Sequence, residues 1–328
     1  MNFEQLFEAF KGKKVAVVGD VMLDTYWWGH VERISPEAPV PVVAVDTKEY
    51  RIGGAGNVAL NTVALGAQTF IISVIGADTN GDTLTKLYQE QHINTQYLLA
   101  STDRITTNKI RIISRNQQMM RLDEELTTDI STDLQAQVLQ QVELCIANDK
   151  PDVVIFEDYN KGVLTEGLIT QLIALCQANG IVTTVDPKRK NFFAYKGVDM
   201  FKPNLKEVKE GLNISLEAVN TTTLSEIHTQ LQAHLQHHIS FITLSEKGVF
   251  YKDATEANII PTHIRNIADV SGAGDTVIAV ASLVYATTNN MNLAAEIANI
   301  AGGLVCEEVG TAAINKQKLL KECALLLN

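Results

Sequence analysis

Short continuous apolar runs alternate along the chain with longer stretches whose apolar residues recur at helical spacing. Lys13-Lys14-Val15-Ala16-Val17-Val18-Gly19-Asp20 reads as a buried strand ending in a carboxylate, after a short amphipathic helix over 3–10. Runs that are apolar at every position suit a parallel sheet covered on both faces. A helix over 58–65 ends at Gly66, then a strand over 69–75 and a helix over 82–92 follow. From residue 130 the alternation becomes regular. The pattern predicts helices over 131–147, 165–179, 204–211 and 222–237, with strands over 153–156, 181–185, near Met200 and over 241–244. A hairpin over 248–264 comes next, and two or three helices fill 272–326. Such alternation predicts an α/β fold with a doubly wound, mostly parallel sheet flanked by helices. Ligands of these sheets bind beyond the carboxyl ends of the strands, where Asp20 and Asp24 lie.

Two segments break the rhythm. Pro36, Pro39 and Pro41 punctuate 35–45, which is extended but too interrupted for a central strand. The stretch 106–123 alternates polar and apolar residues in Lys109-Ile110-Arg111-Ile112-Ile113-Ser114-Arg115 and again in Gln118-Met119-Met120-Arg121-Leu122-Asp123. Arg115-Asn116-Gln117 between them reads as a hairpin turn. Segments of about 30–52 and 104–124 are therefore expected to form one small β-sheet projecting from a single domain that spans 1–328. A projecting sheet with an apolar face needs cover, from its own active site or from a second subunit.

Composition narrows the partners. The chain has 328 residues and a formal net charge of −11, which argues against a nucleic-acid or anionic-membrane surface. A local basic patch is all that an anionic small molecule requires. Cys145, Cys176, Cys306 and Cys323 are widely spaced, as expected of buried thiols in a reducing compartment. No stretch reaches the roughly 20 apolar residues of a membrane span. The acidic start Met-Asn-Phe-Glu-Gln-Leu-Phe predicts no signal peptide, so a cytoplasmic location is expected.

One stretch organises the candidate chemistry. Asp269-Val270-Ser271-Gly272-Ala273-Gly274-Asp275-Thr276 runs straight into the apolar segment 277–285. A helix N-terminus leaves N–H groups without helical partners and carries about half a positive charge. Residues with little or no side chain let an anion approach those N–H groups, so Gly272, Ala273 and Gly274 could cradle a phosphoryl group. Asp275 would orient or deprotonate an attacking hydroxyl, and the helix N-terminus is expected to keep it ionised without raising its pKa. The bland reading is a glycine-rich turn with an Asp in the first helical turn.

The other candidates each carry a plain alternative. Gly54-x-Gly56-x-x-Ala59 with Asp78 partly fits a dinucleotide fingerprint, but Glu49-Tyr50-Arg51-Ile52 precedes it where a buried strand is required. Gly53, Gly54 and Asn57 could instead cradle a polyhydroxy ligand, or form a tight turn. Gly76-x-x-x-x-Gly81-Asp82-Thr83 lacks the P-loop lysine, and Asp82 is taken as a helix start. Asn204 and Glu207 share one helix face and could hold hydrated Mg2+, although a capping box has the same spacing. Thr243-Leu244-Ser245-Glu246-Lys247-Gly248 offers hydroxyls and a tight turn to a nucleotide, or is only a hairpin. Asp158, Lys161 and Lys188 close parallel strands at the ligand edge, where Arg189 and Lys190 add positive field. His234, His237 and His238 read as a solvated helix face.

Taken in order, Gly53-to-Asn57, Asn204-x-x-Glu207, Thr243-to-Gly248 and Gly272-Ala273-Gly274-Asp275 resemble the motifs of the ribokinase-like (PfkB family) sugar kinases. The resemblance covers nearly the whole chain. Val18-Gly19-Asp20-Val21-Met22-Leu23-Asp24, Arg33-to-Val42, Ser114-to-Gln118 and Asp158-Tyr159-x-Lys161-Gly162 are similar to its heptose 7-phosphate branch. That resemblance implies a ribokinase-like fold with a β-sheet lid, often a dimer clasp, and transfer of the ATP γ-phosphoryl group to an anomeric hydroxyl. It implies Asp275 as base, the N–H groups of Gly272, Ala273 and Gly274 at the transferring phosphoryl group, and Asn204 with Glu207 at Mg2+. Ser245, Gly248 and Asn299 would lie near the nucleotide. Asp20, Asp24, Gly53, Gly54, Asn57 and Asp158 would hold the sugar, and Lys161 and Lys188 its existing phosphate. A monovalent cation near Asp269 occurs in some members. Bifunctional members continue into a nucleotidyltransferase domain, which is expected to lie elsewhere here. Ser245 stands where many members have glycine, and Lys206 where that branch often has serine. A dinucleotide-dependent oxidoreductase and a catalytically silent sugar-phosphate sensor remain the rival readings.

Overall fold

A computed structural model describes residues 2–115, 117–263 and 265–327. The turn expected at Arg115-Asn116-Gln117 and the end of the hairpin at 248–264 fall partly on Asn116 and Ile264, which lie outside the described residues. Helix α1 (Phe3–Ala9) leads into β1 (Lys14–Gly19), and two long strands, β2 (Val21–Ile34) and β3 (Pro41–Gly54), follow. Then come α2 (Ala55–Leu65), β4 (Gln68–Gly76), α3 (Thr79–Glu90), β5 (Leu98–Ser101), β6 (Asn108–Ser114) and β7 (Gln117–Glu124). The regular half contains α4 (Thr132–Asn148), β8 (Val153–Glu157), α5 (Glu166–Ala178), β9 (Val182–Asp186), β10 (Met200–Phe201), α6 (Leu205–Leu212) and α7 (Thr221–Leu235). The hairpin β11 (Ile239–Thr243), β12 (Val249–Lys252) and β13 (Ala257–Ile260) precedes α8 (Ala273–Thr288), α9 (Met291–Val305) and α10 (Lys316–Leu326).

Nine strands form one sheet in the order β13-β12-β11-β10-β9-β8-β1-β4-β5, parallel from β11 to β5 and antiparallel at the β12 and β13 edge. The strands bury both faces, which is why they read as unbroken apolar runs. Val15 and Val17 join the core under α2, α8 and α9, while Ala16 and Val18 point to the opposite core under α4, α5 and α7. Helix α8 is buried from Asp275 to Val284, so its N-terminus is held with little freedom.

The remaining four strands make a second sheet, β3-β2-β6-β7, with β2 and β6 parallel and the other pairs antiparallel. This sheet takes in Val21–Ile34, earlier than the expected start near residue 30. The apolar run at Val18-Gly19-Asp20-Val21-Met22-Leu23 hides the boundary, because Asp20 alone separates β1 from β2. Pro36 and Pro39 fall in the turn between β2 and β3, where Ser35 N–H donates to Val40 O at 2.9 Å, and Pro41 opens β3.

Two local expectations change. Helix α3 starts at Thr79, not Asp82, because Asp78 caps it by accepting from Gly81 N–H at 2.8 Å. His234, His237 and His238 are not one solvated face. The helix ends at Leu235, Gln236 turns left-handed at φ 53°, and His237 swings inward to full burial. His237 Nε2 lies 2.6 Å from Ser240 Oγ, which also lies 2.9 Å from His228 Nδ1. Burial pushes His228 down to about 4 and His237 down to about 3, so both are neutral at physiological pH.

The loop after β8 is fixed from two sides. Asp20, 1% exposed, accepts from the N–H groups of Tyr159 (2.8 Å), Lys161 (2.9 Å) and Val163 (3.0 Å). Arg104 donates to the carbonyls of Leu126 (3.2 Å), Thr128 (2.7 Å) and Lys161. Asp20 Oδ2 accepts two backbone N–H groups and Oδ1 one, so Asp20 anchors this loop. We expect Asp20→Asn to speed hydrogen exchange at the Tyr159, Lys161 and Val163 amides at least about tenfold, as loss of one charge-assisted bond alone would. Unchanged protection of that loop would contradict the anchoring role.

Candidate active site

The heads of α2 and α8 face each other beyond the carboxyl ends of the parallel strands. Gly54 caps α2 at φ +59°, and a Cβ there would lie 2.5 Å from Asp20 O. Gly272 caps α8 at φ +76°, and a Cβ there would lie 2.7 Å from Asn57 Nδ2. The absent side chain lets the two helices meet: Asn57 Nδ2 donates to Asp275 Oδ2 at 2.8 Å. Tyr159 OH donates to Asp275 Oδ1 at 2.6 Å. Asn61 extends the link, accepting from Thr276 Oγ1 at 3.1 Å and from Ile314 N–H at 3.0 Å.

Asp275 is 4% exposed, and burial pushes it up to about 6 against the Tyr159 and Asn57 hydrogen bonds. This corrects the expectation that a helix N-terminus alone would keep its pKa unraised. Desolvation outweighs the partial charge of the helix end once the carboxyl is enclosed. The turn before α8 is tied down by Asp269, which accepts from Ser271 N–H (2.9 Å), Ser271 Oγ (2.8 Å) and Gly310 N–H (2.9 Å). Ala273 N–H makes a long 3.3 Å bond to Val270 O.

A buried acidic cluster lies alongside. Glu157, Asp186 and Asp275 each place a carboxylate oxygen within 4.8 Å of the others, a group able to hold a cation. Lys202, 2% exposed, pairs with Asp186 at 2.7 Å, and Lys188 bridges Asp186 (3.2 Å) and Glu207 (2.9 Å). Burial works against ionised Asp186, but Lys188 and Lys202 hold it below its ordinary value. Glu157 is fully buried, and neither oxygen has a hydrogen-bond partner among the described residues. Burial and the neighbouring Asp186 push it well above the carboxylate range.

Asn204 and Glu207 form the capping box: Glu207 N–H donates to Asn204 Oδ1 at 2.9 Å, and Asn204 N–H to Glu207 Oε2 at 2.8 Å. Glu207 Oε1 faces Lys188, so the pair also borders the acidic cluster. A bridge between Asn204 and Thr243 brings α6 beside the turn with Ser245 (φ 55°) and Gly248 (φ 92°). A Cβ on Gly248 would lie 2.0 Å from Ile260 O. Asn299 is drawn aside, donating to Pro261 O at 2.8 Å.

The expected sugar residues divide. Asp24, 3% exposed, accepts from Arg111 and packs so close to Gly53 that a Cβ there would lie 2.4 Å from its Oδ2. Asp158 accepts from Tyr195 OH (2.8 Å), Asn191 Nδ2 (3.0 Å) and Asn160 N–H (2.8 Å), which ties it to its own loop and to inner side chains. Lys161 pairs with Glu125 at 2.6 Å. The site also contains Tyr159, Arg111, Lys109, Asn61, Glu157 and Lys202, to which no motif assigns a role. The alternation of β6 already put Lys109 and Arg111 on one face, which was the available signal.

The turn at Gly54 also answers the dinucleotide fingerprint. Its preceding strand, β3, belongs to the second sheet and pairs antiparallel with β2, so the required strand–turn–helix of a parallel sheet is absent. No helix among the described residues is long and apolar enough to cross a membrane.

Comparison with known proteins agrees with this geometry. Residues 12–318 match the family described as pfkB family carbohydrate kinase. The bifunctional protein HldE of Helicobacter hepaticus is 37% identical over 311 residues, covering 95% of this chain and 64% of its own length. HldE of Methylobacillus flagellatus is 40% identical over 308 residues, covering 94% and 62%. The chain thus spans a little under two thirds of these curated relatives. Phosphofructokinase-2 from Escherichia coli, solved with potassium, superposes with a TM-score of 0.80 at 18% identity, covering 96% of this chain and 99% of that one. Arabidopsis thaliana ribokinase with ribose and ATP superposes at 0.72 and 16% identity, covering 94% and 99%. The fold is therefore ribokinase-like, and the match across 12–318 places its glycine-headed α8 in a family setting: the chain belongs to the pfkB family of carbohydrate kinases.

Proposed function

We propose that this chain transfers the γ-phosphoryl group of ATP to the anomeric hydroxyl of D-glycero-β-D-manno-heptose 7-phosphate, a step toward ADP-heptose for the lipopolysaccharide core. The single observation behind it is Asp275 at the head of α8, enclosed and hydrogen-bonded, in a chain 35–40% identical to HldE proteins. The acceptor hydroxyl takes the place of Tyr159 OH on Asp275 Oδ1, and the carboxylate receives its proton as the oxygen attacks the γ-phosphorus and the bond to the β-phosphate oxygen breaks, releasing ADP. N–H groups in the first turn of α8 face the transferring phosphoryl group and offset its charge.

Asp24, Gly53, Gly54 and Asn57 hold sugar hydroxyls. Ser245, Gly248 and Asn299 border the nucleotide. Glu207 and Asn204 suit a hydrated Mg2+, since that ion keeps waters and takes few protein oxygens, and Mg2+ would supply charge neutralisation at the phosphates. A monovalent cation beside the Asp269 loop belongs to the same proposal. We read the four-stranded sheet as a lid inserted in one kinase domain. Its exposed Ile34, Val40, Val45 and Met120 offer a homodimer face. A cytoplasmic enzyme would keep its four buried thiols reduced. A kinase for another phosphosugar is the second reading, because the basic groups around the site suit any such acceptor.

Asp275→Asn should lower kcat by about 10²–10⁴-fold while leaving the KM for ATP within about threefold. Wild-type-like turnover of that variant would remove Asp275 from the chemistry. Because Asp275 must be ionised, kcat/KM should rise as pH increases through about 6. Tyr159→Phe deletes a hydrogen bond that favours the carboxylate, so the inflection should move to higher pH. An inflection that stays put would show that Tyr159 does not tune the base.

A further inference from the structure

The cations around the site are nearly all committed. Lys161 pairs with Glu125, Lys188 with Asp186 and Glu207, Lys202 with Asp186, Arg111 with Asp24, and Arg51 with Glu49. Lys109 differs. It is half-buried on β6, and its ammonium makes no hydrogen bond or ion pair with any described residue. Its Nζ lies 5.6 Å from the centre of the Tyr159 ring, whose hydroxyl rests on Asp275. Lys188 lies 5.3 Å from the same ring centre, so both lysines approach the tyrosine that donates to the base.

The carboxylates nearest Lys109 are committed to other cations: Asp24 to Arg111, Glu125 to Lys161 and Asp123 to Arg121. Asp24 on β2 and Asp123 on β7 stand opposite it in the strand ladders. Burial disfavours its charge, Lys161 adds repulsion, and Asp24, Glu125 and Asp123 favour it without forming an ion pair. A partly desolvated ammonium with no ion pair is unfavourable unless an anion joins it. We propose that Lys109 binds the phosphate that the sugar already carries, which makes β6 the strand that selects phosphorylated acceptors. One sugar would then place its reacting hydroxyl at Asp275 and its phosphate at Lys109, beside Tyr159. This inference rests on the phosphosugar-kinase reading above and adds the residue that enforces it. It also replaces Lys188, which is committed to Asp186 and Glu207, as the anchor for that phosphate.

The test compares wild type, Lys109→Met and Lys109→Arg with heptose 7-phosphate and with unphosphorylated heptose. We expect Lys109→Met to raise KM for heptose 7-phosphate about 10–100-fold, the effect of one charge-assisted bond, with kcat and the KM for ATP within about twofold. Lys109→Arg should recover most of the loss, and any slow turnover of heptose should be insensitive to either change. An unchanged KM in Lys109→Met, an equal loss on both sugars, or a fall in kcat alone would overturn the proposal. Should Lys109→Met not fold, Lys109→Gln takes its place, with the same outcomes. If wild type ignores heptose 7-phosphate but turns over another phosphosugar, the named substrate falls and the same comparison on that phosphosugar decides Lys109. If wild type prefers an unphosphorylated sugar, the role of Lys109 falls while membership of the kinase family stands.

Discussion

The hydrogen bond from Asn57 Nδ2 to Asp275 Oδ2 joins the heads of two buried helices, and the arrangement of the site depends on it. It exists because Gly272 has no side chain and takes a left-handed conformation that L side chains rarely adopt. Any larger residue there would strike Asn57 or force α8 away from α2. Helix α8 cannot drift to compensate, since it is enclosed from Asp275 to Val284 and packs on α2, α9 and the sheet. The glycine is thus a requirement of packing as much as of anion binding. The same backbone freedom serves both.

Around that contact the protein balances charge by enclosure. Six carboxyl groups of the described residues, Asp20, Asp24, Glu157, Asp158, Asp186 and Asp275, are at most 4% exposed, and Arg111 satisfies Asp24. Each is settled differently. Backbone N–H groups satisfy Asp20, a tyrosine and an asparagine satisfy Asp158, and two lysines satisfy Asp186. Glu157 has none of these and is pushed toward its neutral form. Asp275 stands between these extremes: burial raises it, and two neutral donors restrain the rise. A group poised in that way is ionised near neutrality yet still able to accept a proton, which suits a general base.

Much of this could be read from residue order. Apolar runs marked the parallel strands because burial on both faces removes the polar alternation, and the glycine turn before α8 marked the site because few other uses need that pattern. The capping box at Asn204 and Glu207 was legible from spacing, since both partners lie within one helical turn. Direction was not legible. Asp20, Asp24 and Asp158 all sit at strand ends, yet only packing decides that Asp20 and Asp158 turn toward backbone and inner side chains. His237 shows the same limit, because one left-handed residue at Gln236 redirects it from helix face to core. Charge pairing was hidden too. Lys161, Lys188 and Lys109 look equivalent as residues, and only their neighbours, far away in sequence, show which of them is unpaired.

The most direct measurement is a crystal structure of the protein with ADP, aluminium fluoride and heptose 7-phosphate. The account predicts the fluoride group within hydrogen-bonding distance of the first-turn N–H groups of α8, with the sugar hydroxyl on Asp275 in place of Tyr159. A fluoride group bound away from α8, with Tyr159 still on Asp275, would contradict it.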